Sequence, residues 1–129
     1  MTMERFDRWL QEYGAAWQNL NADQMAGLFD ADGAFFETPF GPPKRGRDEI
    51  LRHWREALSQ QSDVVFMYRG LALQDDLGIA RWAAQFNLIE ANVRLEFDGI
   101  LECRLNESGD ARLVRLWWHD REAPRRNRS

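Results

Sequence analysis

Apolar positions at the start of the chain recur at helical spacing. Phe6, Trp9, Leu10, Tyr13, Trp17 and Leu20 alternate with Glu4, Arg8, Gln11, Glu12 and Gln18, which predicts a first amphipathic helix. Asn21 can cap a second helix, with Gln24 three residues on as in a capping box. That helix is expected to be short and to turn Met25, Leu28 and Phe29 inward, and Asp32-Gly33 is expected to turn the chain. A short strand is expected over 34–38. Pro39-Phe40-Gly41-Pro42-Pro43 must then be a loop, because prolines cannot donate to a ladder. Asp48 and Glu49 suit the first turn of a third helix, whose apolar face is Ile50, Leu51, Trp54, Ala57 and Leu58. Residues 60–63 close it.

Beyond this point the period changes from helical to two. Strands are expected over 64–73, 79–90, 93–105 and 113–119, with turns at 75–78, 91–92 and 106–110. Trp82, Ala84, Phe86 and Leu88 alternate on one strand, and Val93, Leu95 and Phe97 on the next. Long strands joined by short turns make an antiparallel meander. Helices first and strands afterwards predict an α+β fold rather than an alternating α/β one.

A chain of 129 residues suits one domain. We place it at 1–120, with 121–129 as a basic tail expected to be disordered. Cys103 is the sole cysteine, so no intramolecular disulfide can form, and in an apolar strand it acts as a small hydrophobe. The formal charge is −4 although the tail carries four Arg and one Glu, so the body is more acidic still. That balance argues against nucleic acid as a partner. No apolar signal segment and no run long enough to span a bilayer is present, so no membrane association and a cytoplasmic location are expected. Arginines far outnumber the single lysine, Lys44, an imbalance expected of a bacterial chain from a GC-rich genome. There is no Cys/His cluster, and two histidines need a third ligand to hold zinc, so neither metal nor organic cofactor is implied.

The order of these elements resembles the nuclear transport factor 2-like superfamily. Residues 21–41 (Asn-Ala-Asp-Gln-Met-Ala-Gly-Leu-Phe-Asp-Ala-Asp-Gly-Ala-Phe-Phe-Glu-Thr-Pro-Phe-Gly) look like the second-helix and first-strand signature of its SnoaL-like proteins. Gly46 to Ile50 resembles the opening of their third helix, and Asp98-Gly99-Ile100 a feature of their fourth strand. The resemblance implies a cone-shaped fold, with three N-terminal helices on a curved antiparallel sheet enclosing a pocket, and homodimers packed through the sheet. It implies no single activity, because this fold hosts isomerases, cyclases, dehydratases and binding domains.

Ketosteroid isomerases of the superfamily use a Tyr on the first helix and a protonated Asp on a late strand as donors, with an Asp base before a proline. By that resemblance Tyr13 and Asp98 fall at or near the donor positions. Thr38 falls at the base position, and its hydroxyl is too weak a base for proton abstraction at neutral pH. Its neighbour Glu37 is a carboxylate, although strand alternation points it to the opposite face unless the proline loop twists it. Asp98, if buried among Trp and Phe, would be kept protonated by desolvation, and the alternative is an Asp-Gly bulge. His53, at the edge of the third helix's apolar face, and His119, ending the last strand, are further acid–base candidates. Trp17, Phe40, Trp54, Trp82 and Trp117 are candidate walls for a small hydrophobic or aromatic ligand. Trp117 and Trp118 are adjacent on a strand, so one faces out, onto a sheet face that a second subunit is expected to cover. Whether Trp82 and Phe86, or Gln85 and Asn87, face the pocket is left open. Two functions fit: cofactor-free acid–base catalysis of isomerase, dehydratase or cyclase type, or a non-catalytic ligand-binding or protein-interaction domain.

Overall fold

The computed structural model describes residues 1–124. In chain order the elements are α1 (Met3–Gln18), α2 (Ala22–Ala26), β1 (Phe29–Phe36), β2 (Lys44–Arg45), α3 (Gly46–Ser59), β3 (Gln61–Gln74), β4 (Leu77–Leu88), β5 (Val93–Leu105) and β6 (Ala111–Ala123). The strands form one curved, unclosed sheet in the order β2-β1-β6-β5-β4-β3. β3 to β6 are the expected antiparallel meander. β1 joins its far side by pairing parallel with β6.

The helices begin where the sequence supplies caps. The Thr2 hydroxyl accepts from Arg5 N at 3.2 Å, and Asn21 Oδ1 accepts from Gln24 N at 3.0 Å. α3 lacks an Ncap side chain. Instead Glu49, four residues on, reaches back to accept from the Arg45 backbone N–H at 3.1 Å. α1 buries Phe6, Trp9, Leu10, Tyr13 and Trp17, and α3 buries Ile50, Trp54 and Leu58. Both stripes pack on the inner face of the sheet, where Phe35, Phe66, Trp82, Phe86, Leu101, Cys103, Val114 and Leu116 are buried.

Three local expectations give way. α2 ends at Ala26, so Phe29 belongs to β1 rather than to the helix. Asp32-Gly33 does not turn the chain. It lies inside β1, at the irregularity between the Phe29–Ala111 and Ala34–Leu113 pairs. Asp30 Oδ1 accepts from Asp32 N there at 2.9 Å, so the turn chemistry is spent on a bow in the strand. At the other end β6 continues through Arg121 to Ala123, paired with β5 out to Arg94–Ala123, so the strand takes up the first residues assigned to the tail. Residues 125–129 lie outside the described residues.

The sheet is close-packed where it curls. A Cβ on Gly99 would stand 1.9 Å from the Trp117 carbonyl oxygen, so only glycine lets β5 and β6 approach this closely. Asp98 and Gly99 keep regular register with both neighbours, so this is a tight approach and not a bulge.

Candidate functional site

The open question about the strand faces is settled by Trp82 and Phe86, which are buried on the inner face with α1 and α3. Gln85 therefore points outward. Trp82, Phe97 and Trp118 continue the inner wall toward its open end, with Phe97 and Trp118 stacked at 5.6 Å between ring centroids. Behind them the interior is filled by rings. Trp17 stands 5.3 Å from Trp54, 5.9 Å from Trp82 and 6.3 Å from Tyr13.

These rings carry polar atoms with unequal fates. Trp9 Nε1 donates to Leu28 O at 3.0 Å, and Trp17 Nε1 to Gln61 Oε1 at 2.7 Å. The Tyr13 hydroxyl and the Trp54 and Trp82 indole nitrogens are buried with no hydrogen-bond partner among the described residues. Each such orphan costs about 1–3 kcal/mol. All three can donate, and all three surround Trp17. Burial pushes the Tyr13 phenol far above its usual range, with Cys103 and Glu37 adding to the rise, so at neutral pH it is a proton donor only in the hydrogen-bonding sense.

Glu37 follows β1 directly and shares the parity of Phe35, which is buried against His53 and Trp54, so its carboxylate reaches α3. His53 Nε2 lies 3.0 Å from Glu37 Oε2. His53 is mostly buried between Phe35 and Trp54, with ring centroids at 5.4 and 5.8 Å. The hydrogen bond from His53 holds the Glu37 carboxyl below its ordinary range, against an opposing push from partial burial. An ionised Glu37 accepting from Nε2–H fixes the tautomer that leaves the lone pair on Nδ1. Next to this pair is a mouth of about 310 Å³, lined by the apolar Ala57, Phe86, Leu88, Leu95 and Phe97 and the polar His53, Glu56, Gln60 and Gln61.

Asp98 and His119 are elsewhere. They pair across β5 and β6 on the outer face, and the Asp98 side chain is 53% exposed. Asp98 accepts from Arg81 Nη2 at 2.7 Å and from Arg81 Nε at 3.2 Å, and these bonds lower its pKa. The expectation of a buried, protonated Asp98 is thereby overturned: alternation puts Phe97 and Gly99 inside and Asp98 outside. Trp117 is likewise on the outer face and 40% exposed, while its neighbour Trp118 faces in. Phe40 stands 97% exposed on the proline loop, away from the interior wall. Depressions of about 560 and 500 Å³ flank Asp98 and His119 on this outer face.

Of the residues singled out from sequence, the fold thus gathers Tyr13, Trp17, Glu37, His53, Trp54 and Trp82 at the inner face. It separates Phe40, Asp98, Trp117 and His119 from them. Gln61, Leu95 and Phe97 were not singled out. The signal for Gln61 was there: a buried indole N–H on α1 demands an acceptor, and an amide opening the next strand can supply it.

A family model described as SnoaL-like domain matches residues 10–122. No curated protein sequence matches the chain. Among solved structures, the chain superposes on the epoxide hydrolase/cyclase-like enzyme SalBIII, described in pyran ring formation in polyether salinomycin. The TM-score is 0.79 at 16% identity, covering 91% of this chain and 92% of that one. A hypothetical protein with ketosteroid isomerase-like fold from Catenulispora acidiphila DSM 44928, in complex with trimethylamine, gives a TM-score of 0.75 at 15% identity, covering 84% and 83%. At such identities the likeness establishes the fold.

Proposed function

Because the chain belongs to the SnoaL-like domain family, whose fold hosts several chemistries, we propose its function from the site: cofactor-free acid–base catalysis on a small apolar or aromatic substrate, with His53 as the base. The observation that carries this reading is the 3.0 Å His53–Glu37 pair beside a mouth with a partly apolar lining. His53 Nδ1 takes a proton from an acidified carbon or hydroxyl of the substrate, and Glu37 steadies the imidazolium that results. Positioned transfer of this kind is worth about 10²–10⁴ in rate. The buried donors Tyr13, Trp54 and Trp82 would supply hydrogen bonds to developing negative charge on a substrate oxygen where the rings filling the interior part to admit it. Isomerisation, dehydration and cyclisation all use these two functions. The similar fold of an enzyme described as epoxide hydrolase/cyclase-like agrees with this class.

β-Tetralone tests it. The protein in heavy water should accelerate deuterium exchange at the carbon between ring and carbonyl, seen by proton NMR. His53→Gln should lose about 100-fold or more of that acceleration, and Glu37→Gln about tenfold. Undiminished exchange in His53→Gln would remove the base assignment.

A second reading, a non-catalytic ligand-binding or interaction domain, is favoured by one specific observation. The interior is filled by its own rings, and Thr38 stands where isomerases carry their base. It predicts saturable quenching of tryptophan fluorescence by β-tetralone with no exchange above background.

We further propose a homodimer through the outer sheet face, which exposes Met67, Leu71, Ile100 and Trp117. The acidic body of the chain is consistent with a protein that does not bind nucleic acid. Among the described residues no helix is long and apolar enough to cross a membrane, and a cytoplasmic location is part of the same reading.

A further inference from the structure

We propose that Gln61 is the donor that recognises an oxygen acceptor on the ligand, and that Trp17 sets its orientation. The inference rests on the mouth beside His53 being the ligand site. Gln61 opens β3 and is only 9% exposed, yet its side chain lines that mouth. An indole N–H can only donate, so the amide atom 2.7 Å from Trp17 Nε1 is the oxygen on chemical grounds. The oxygen being turned to the buried ring, the NH₂ is the polar end that Gln61 offers the cavity. No hydrogen bond from that nitrogen is formed among the described residues. A freely rotating amide would present either end. This one is held with its donors outward.

The surroundings match a ligand with an apolar body. Phe86, Phe97 and Leu95 line the mouth together with Gln61, with Phe86 and Phe97 at 5.3 Å between ring centroids, and Glu56 and Gln60 are its other polar lining. A neutral ring compound bearing a carbonyl or ether oxygen therefore fits, and its hydrocarbon counterpart forfeits the hydrogen bond. Trp17 is a positioning residue, reaching the ligand's oxygen only through Gln61.

Matched probes decide the matter. Tryptophan quenching and calorimetry would measure β-tetralone and tetralin, which share a skeleton and differ in the oxygen. The native protein should prefer the ketone by about three- to tenfold in Kd, the worth of one neutral hydrogen bond. Gln61→Glu keeps an oxygen for Trp17 but replaces the donor end with a second acceptor, so the ratio should fall to about one or invert. Gln61→Met, which lacks both ends, should also bring it to about one. Trp17→Phe frees the amide to rotate and should lower the ratio by about twofold. If both probes bind and the ketone preference survives in both Gln61 variants, the assignment is overturned while the mouth remains a binding site. If neither probe binds the native protein, the mouth itself is the wrong place and the assignment falls with it.

Discussion

His53 Nε2 meets Glu37 Oε2 at 3.0 Å, joining the middle of α3 to the loop that leaves β1. Loop and helix are thereby held together at the edge of the mouth. The pairing has a pH signature. The Glu37 carboxyl sits below its ordinary value of 4.5, chiefly through the hydrogen bond from His53. A depressed carboxylate contributes stability above its unfolded pKa and loses it as pH falls through the folded one. The contribution is thus complete above about pH 4.5 and fades below it. Because Glu37 is half-exposed, its size is only about 0.5 kcal/mol. Denaturation midpoints of the native protein and Glu37→Gln should differ near neutrality and converge in acid. A constant gap would contradict the pairing.

Asp98 makes its bonds with Arg81 on the outer face, so Asp98→Asn should leave exchange on β-tetralone within about twofold of native. The pair is solvent-exposed and contributes little, so stability should hardly move. A collapse of exchange in this variant would relocate the chemistry to the outer face.

Gly99→Ala is expected to be costly despite adding one methyl group. The new carbon would sit 1.9 Å from a backbone oxygen of β6, which cannot rotate away as a side chain could. A loss of about 1–3 kcal/mol is expected, read from the urea midpoint at unchanged slope. A native-like midpoint would mean that the strands can spread at no cost.

Trp117→Glu addresses the outer sheet face. Trp117 is 40% exposed and Met67 63%. Sedimentation should find a dimer for the native chain and a monomer for the variant, because a charge at the centre of an apolar contact is left without a partner. A native chain that sediments as a monomer would retire the dimer.

Most of the architecture was legible in the sequence because it depends on period. The helical stripe from Phe6 to Trp17 and the alternation from Trp82 to Phe86 each admit one placement of the core. What stayed illegible depends on where strands end and which face they show. The parity of Asp98 was already implied by Phe97, an apolar neighbour that had to face in, but the family resemblance pulled the other way. Glu37 reaches His53 because it shares the parity of Phe35, which itself packs on His53, and that parity could be read only once Phe35 was known to face in. The Asp32-Gly33 pair carries genuine turn chemistry, which the parallel pairing on either side absorbs into the strand.

β6 lies between β1 and β5, so the segment carrying β1 and β2 is stitched to the rest of the sheet only through it. A chain growing from its N-terminus makes β1 long before β6. The meander of β3 to β5 can zip up against α1 while still tethered to the ribosome, whereas β1 has only the two-residue β2 to pair with until β6 emerges. Until then the side of β1 that β6 will cover lies open, a state in which such a chain is exposed to chaperones or to aggregation. Glu37 follows directly on that strand, so the placement of the His53–Glu37 pair relative to the rest of the sheet is fixed only when β6 closes against β1.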